Sequence, residues 1–173
     1  MDGSHTLAKN GGAHVGYQGR KKAKTTNALF LCDNEGQPLA IATPQSGVHH
    51  DLHDIEALFG ELCALLTGAG IDLNGVFMIA DSGFDAEVLQ KQCNEKGIEA
   101  NIDLNARNAK ELSAYRYFDE LLYKRRFVER MNAWIDSFKA LLVRFETKLT
   151  HWLALHYLAF AVLLIRKKTI VKY

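Results

Sequence analysis

The stretch GVFMIADSGFDAEV, residues 75–88, decides how the chain is read. Its apolar run 76–80 is of the kind that fills a strand buried on both faces. The run delivers Asp81 at its end, before a glycine-containing turn and a helix opening near Asp85. A carboxylate at the carboxyl end of such a strand sits at the mouth of an open α/β sheet, where ligands and catalytic groups gather. Capping the turn is an equally ordinary use for Asp81. Two other carboxylates in matching settings, Asp2 and Glu129, favour chemistry.

Downstream, the spacing predicts a helix over 86–96 ended by Gly97 and a short strand in IEANID, 98–103. Strand, helix and strand imply a parallel pair with a right-handed crossover. The polar connection NARNAKELSAY carries Arg107 and Lys110 and lies near where a substrate backbone would run. From 118 to 148 the pattern predicts one long helix. Leu121, Val128, Met131, Ile135, Phe138, Leu142 and Phe145 recur at three and four, and Phe127, Trp134 and Leu141 widen the stripe. Glu129 falls off that stripe, one turn after Arg125 and near Arg126, with Asp136 further along the same polar line. The plain alternative to a catalytic role is an exposed i, i+4 ion pair, worth roughly 0.3 kcal/mol. A terminal helix over 152–166 closes the core, and RKKTIVKY is a basic tail.

Upstream, Asp2 stands almost at the start, in MDGSHT. A strand needs about five residues, so most of the amino-terminal half of Asp2's strand is expected to be missing and the start to be truncated. Residues 9–24 read as a flexible glycine-rich loop bearing Lys9, Arg20, Lys21, Lys22 and Lys24, either solvated or in contact with phosphates. TTNALFLC (25–32) and LAIAT (39–43), joined by the turn residues of DNEGQP, predict a β-hairpin. Leu52, Ile55, Leu58, Phe59, Leu62, Leu65 and Leu66 then recur at helical spacing up to TGAG. His49, His50, Asp51, His53 and Asp54 crowd the start of that helix. Their types suit zinc or iron, but adjacent histidines point different ways and a polar cap needs no metal.

Composition bounds the rest. With 173 residues, 48% of them hydrophobic, the chain is long enough for one sizeable core, so a single soluble domain over 1–173 is expected. Lys and Arg number 21 against 20 Asp and Glu, a balance that by itself offers no support for a nucleic-acid partner. Cys32, Cys63 and Cys93 form no CxxC pair and suit a reducing cytoplasm as small buried hydrophobes. The longest apolar run, WLALHYLAFAVLLI (152–165), is too short to span a bilayer and contains His156. It reads as a buried helix, and no membrane partner is expected.

DGSHT at Asp2, the hairpin GRKKAKTTNALFLCDNEGQPLAIA, the turn SGVHHD, ADSGFDA at Asp81 and RRFVERMNAWIDSFKALLVRFE around Glu129 occur in this order over nearly the whole chain. In that set the sequence resembles the catalytic domain of the DDE transposases of bacterial insertion sequences, most like the group typified by insertion sequence five. The resemblance implies an α/β, ribonuclease H-like fold: a mixed sheet flanked by helices, with a long C-terminal helix carrying the third acidic residue. It implies that Asp2, Asp81 and Glu129 are the catalytic carboxylates and hold two Mg²⁺ ions, with Mn²⁺ able to substitute. Arg20, Lys21, Lys22, Lys24, Arg107, Lys110, Tyr123, Arg125, Arg126 and Lys139 are then the expected DNA contacts.

The activity implied is metal-dependent DNA strand cleavage and strand transfer at element ends. The partners implied are double-stranded DNA (terminal inverted repeats and target) and either further copies of the chain or an upstream-encoded transposase segment. The location implied is the bacterial cytoplasm, at the nucleoid. Two features depart from the family pattern: Tyr123 lies six residues before Glu129, and Asp136 stands where a lysine is usual. The family's amino-terminal DNA-binding region is expected to be missing ahead of Asp2. An alternative is therefore a non-catalytic fragment that acts as a DNA-binding or inhibitory subunit, and a third reading is a stand-alone ribonuclease H-like nuclease.

Overall fold

The structure, a computed structural model, describes residues 1–105, 118–124 and 128–170. It is a mixed α/β arrangement: a mixed sheet flanked by helices, with a C-terminal helix. The strands and helices up to the first long helix are β1 (Asp2–Ala8), β2 (Gly16–Gln18), β3 (Ala23–Cys32), β4 (Pro38–Ile41), β5 (Gln45–Ser46) and α1 (Ile55–Gly68). There follow β6 (Phe77–Ala80), a 3-10 turn at Ser82–Phe84, α2 (Glu87–Glu95) and β7 (Glu99–Ile102). The last part is α3 (Glu120–Lys124), α4 (Val128–Asp136), α5 (Lys139–Leu142), β8 (Val143–Arg144) and α6 (Leu149–Ile170).

The strand that organises the molecule is β3. Along its unbroken buried run, Leu29 and Leu31 turn toward α1, α2 and β6, while Ala28 and Phe30 turn toward α4, α5 and α6. This is the period-two alternation of a strand with a core on each face. β1 lies antiparallel to β3, with Asp2 opposite Phe30 and Leu7 opposite Thr25, and β8 joins the outer end of β1 in parallel. β2, β5 and β4 share the other edge of β3 in turn, all antiparallel. The hairpin expected from the turn residues of DNEGQP is the β3–β4 pair, and Asp33 Oδ1 ties the turn by accepting from Glu35 N and Gln37 N.

The strand–helix–strand unit forms as expected: β6 and β7 are parallel, and α2 ends where Gly97 takes φ 67°. Two expectations about it fail. β6 is not buried on both faces, since Phe77 is 55% exposed, and β6 and β7 form their own two-stranded sheet. A continuous apolar run announces a strand, but which of its faces is covered depends on what packs there. The Met1 ammonium, just ahead of β1, donates to Ile79 O of β6 at 2.7 Å, and the two sheets share one hydrophobic core.

The largest correction concerns 118–148, which is not one long helix. α4 stops at Asp136, where the Ser137 hydroxyl donates back to Trp134 O at 2.6 Å, and Phe138 leaves the helical region at ψ 102°. Val143–Arg144 then becomes strand β8, because it completes the edge of β1 and because Arg144 is wanted inside. The Arg144 guanidinium, 1% exposed, donates to Thr26 Oγ1 at 2.6 Å and to Glu146 O at 2.9 Å, and lies over the Trp152 ring. Tertiary pairing outweighs the helical period here. Val128, Met131, Ile135 and Leu141 are core as expected, but Leu121, Leu142 and Phe145 are exposed.

The long helix at the carboxyl end is α6, and it does not carry the third acidic residue; Glu129 belongs to the short α4. α6 starts before and ends after the expected 152–166, and Arg166, Lys167 and Lys168 continue it. Only 28% of the apolar window at residues 149–168 is buried, and by length and composition the helix is long and apolar enough to cross a membrane. Its inner stripe of Trp152, His156, Ala159, Phe160 and Leu163 packs on the sheet. The glycine-rich loop 9–24 is partly ordered as β2, and Cys63 and Cys93 are buried while Cys32 is half-buried.

Candidate active site

Asp2 is the first residue of β1, and the packing of β1 against β3 and α4 holds its side chain. Its Oδ1 accepts from Gly3 N at 2.9 Å, and its Oδ2 accepts from Asn132 Nδ2 of α4 at 3.0 Å. Burial raises the Asp2 carboxyl above the ordinary carboxylate range. The Asn132 hydrogen bond and the Met1 ammonium pull it partly back, and Asp81 pushes it up. The same burial lowers the Met1 ammonium, with Cys32, Asp2 and Asp81 opposing.

Asp81 follows β6 directly and is exposed. Its Oδ1 accepts from Gly83 N at 2.9 Å, so the residue does cap the 3-10 turn, the ordinary use weighed against chemistry. The second oxygen is not needed for that cap. Glu129 stands in the first turn of α4, exposed, three residues before the Asn132 that reaches Asp2. Asp2, Asp81 and Glu129 line one pocket of about 570 Å³, together with Asp33 at the end of β3. They share this mouth without closing up, since among the described residues no group of three His, Cys, Asp or Glu side chains is close enough to hold a metal ion. Carboxylates of like charge resist close approach. As a donor set, hard carboxylate oxygens from three separate elements are what Mg²⁺ or Mn²⁺ takes.

Other expected site residues lie elsewhere. Arg20, Lys21, Lys22 and Lys24 sit at the β2–β3 turn, by the Thr25 end of β3, whereas Asp2 is opposite Phe30. Five strand residues separate the two ends, about 17 Å. Lys21 Nζ donates to His5 O at 2.7 Å. Tyr123, in α3 with its ring 5.4 Å from that of Phe118, and Lys139, at the start of α5, do not line the pocket. Arg107, Lys110, Arg125 and Arg126 lie outside the described residues, as does Phe127. Of the crowded residues before α1, His49 and His53 stack with ring centroids 3.6 Å apart and Asp51 accepts from Asn27 Nδ2 at 2.8 Å. That arrangement fastens the loop.

Three contributors were not anticipated. Asn132 carried a readable signal, because a residue three after Glu129 shares its helix face. Asp33 was read only as a turn residue. Gly3 owes its identity to Asp51: a Cβ there would collide with the Asp51 carboxylate, so DG in β1 and HHD in the loop are two halves of one contact.

A family model described as "Transposase DDE domain" matches residues 1–164 of the chain. Searches of the curated proteins and of the solved structures returned no match.

Proposed function

The chain belongs to the transposase DDE domain family, and we propose that it is the catalytic domain, of the insertion sequence five-like group, that cuts and joins DNA strands at element ends in the bacterial cytoplasm. The observation that carries this is the single pocket lined by Asp2, Asp81 and Glu129, which come from β1, the end of β6 and α4. We read the strand arrangement as ribonuclease H-like. β1 is antiparallel to β3, and Met1, just ahead of β1, donates to Ile79 O of β6, after which Asp81 follows.

An acidic mouth repels a phosphodiester unless cations stand between them. Two divalent ions, Mg²⁺ or Mn²⁺, held by the three carboxylates would supply activation of a water or a 3′-hydroxyl and stabilisation of the leaving oxygen. The chain's own residues prepare that site. Asn132 orients Asp2 through Oδ2, and the Gly83 amide fixes one oxygen of Asp81 and leaves the other for a ligand. The raised Asp2 carboxyl marks a buried charge that a cation would stabilise. We assign phosphate contacts on duplex DNA to Arg107, Lys110, Arg125 and Arg126. The basic β2–β3 turn lies at the other end of β1 and would contact a more distant part of the duplex or a second copy.

Asp81→Asn tests the assignment sharply, because an asparagine Oδ1 still accepts from Gly83 N while one charge is lost. The expected result is an unchanged melting temperature in chelator, weakened Mn²⁺ binding and no Mg²⁺-dependent nicking of supercoiled plasmid. Full nicking by a folded Asp81→Asn protein ends the catalytic reading.

A further inference from the structure

α6 has two apolar faces, and the sheet uses one of them. From Leu149 to Ile165 the sequence holds no Asp, Glu, Lys or Arg. Trp152, His156, Ala159, Phe160 and Leu163 are buried in the core. On the opposite side Ala154, Leu158, Ala161 and Ile165 follow one another at spacings of four, three and four. All four are exposed, Leu158 by 62% and Ile165 by 64%. Tyr157 and Leu164 flank this line on one side, Leu155 and Val162 on the other. A helix that is apolar all round belongs in an interior, so the outer face calls for a cover.

The spacing says of what kind. Four, three and four is the seam of a two-helix coil, whose positions stay in line along a partner helix. The residues on the seam alternate small and large, an order that only shaped side chains can match; a lipid surface does not distinguish it. A second α6 laid antiparallel about the midpoint between Ala159 and Phe160 matches it residue by residue. Ala154 then faces Ile165 and Leu158 faces Ala161, each pair twice by two-fold symmetry, so every large side chain seats against an alanine. Along the flanks Tyr157 meets Leu164, and Leu155 meets Val162.

A parallel pair would instead set Leu158 on Leu158 and Ala154 on Ala154. It would also bring Arg166, Lys167 and Lys168 of both copies together at a helix spacing of about 8–10 Å. The antiparallel pair keeps the two Lys167 positions about 22 Å apart along the axis. Two such faces bury on the order of 1,000 Å², the low end for a specific complex, which suits a dimer of roughly micromolar Kd. Lys167 pairs with Asp33 and Glu35, so the basic end of α6 lies beside the acidic mouth that Asp33 lines. Antiparallel pairing turns the two mouths to opposite ends of the helix pair.

We propose that the outer face of α6 is a self-association surface on which a second copy of this chain docks its own α6 antiparallel, Leu158 against Ala161. The inference stands on the order of side chains along α6 and does not require the catalytic reading.

The test is sedimentation equilibrium of the whole chain, which is expected to pass from monomer to dimer between about 1 and about 100 µM. Leu158→Glu and Ala161→Lys should each weaken association at least about tenfold. Their melting temperatures at the lowest concentration should match the wild type, because both positions are exposed. Mixed one to one, the two variants should regain the dimer, since the new acid on one copy faces the new base on the other in this register. A monomer at every concentration overturns the proposal, and so does a dimer that survives both substitutions. Loss in each variant without recovery on mixing overturns the antiparallel register and the proposal with it. A wild-type chain that stays monomeric yet cosediments with phosphatidylcholine vesicles puts this face against lipid, and also overturns it.

Discussion

His156 sets a measurable acid limit on the fold. It is 1% exposed, and its Nδ1 lies 2.9 Å from Trp152 O one turn back on α6. Its ring is packed among Trp152, Phe30 and Phe160, with the Trp152 ring edge-on at 4.3 Å. Burial pushes it down to about 4, the Trp152 carbonyl and Glu146 pulling only partly back. The native state therefore refuses a proton that the unfolded chain accepts near pH 6.5. Stability is full above pH 6.5 and falls with pH through the window down to about 4, by up to about 1.4 kcal/mol per unit and about 3 kcal/mol in all. Urea unfolding of the wild type and of His156→Leu at steps from pH 7 to 4 isolates the effect, because the other histidines cancel in the difference. The variant starts lower at pH 7, having lost a shaped side chain, but the difference between the two proteins should move in the variant's favour by about 3 kcal/mol in all as pH falls to about 4. A difference that stays flat with pH refutes the buried neutral imidazole.

Asp2→Asn should raise the melting temperature at pH 7 in chelator, because burial penalises the charged carboxylate. Since the folded value is raised, the wild type should regain that stability as pH falls through the raised value, and the two melts should meet below about pH 4. A lower melting temperature for the variant at pH 7 would mean that the bonds from Asn132 and Gly3 outweigh burial. Gly3→Ala should cost about 1–3 kcal/mol in urea unfolding, as the new methyl displaces the Asp51 carboxylate from Asn27; a cost near zero would show that the loop gives way freely.

Local signals were legible wherever a residue's role is settled within a few positions. The DNEGQP turn set the hairpin, Gly97 ended α2, and the spacing of α1 put Ile55, Leu58, Phe59, Leu62 and Leu66 in the core, while Leu65 of the same expected stripe is exposed. Asp81 is legible too, because strand, turn and helix follow one another in a single short stretch. The failures share one cause. Residues 118–148 carry a good helical period, yet β1 offered a free edge that Val143 and Arg144 complete, and Thr26 offered a partner inside. Likewise, 76–80 are apolar enough for burial on both faces, but β6 lines the open pocket and Phe77 lies exposed.

Charge, the strand and helix runs from 25 to 102 and the candidacy of three carboxylates for metal chemistry could all be read from residue order alone. That Asp2, Asp81 and Glu129 share a pocket while the basic turn at Arg20 to Lys24 lies at the other end of β1 emerges from the folded chain alone. Strand register and sheet order are set by contacts between distant segments, and no local period records them.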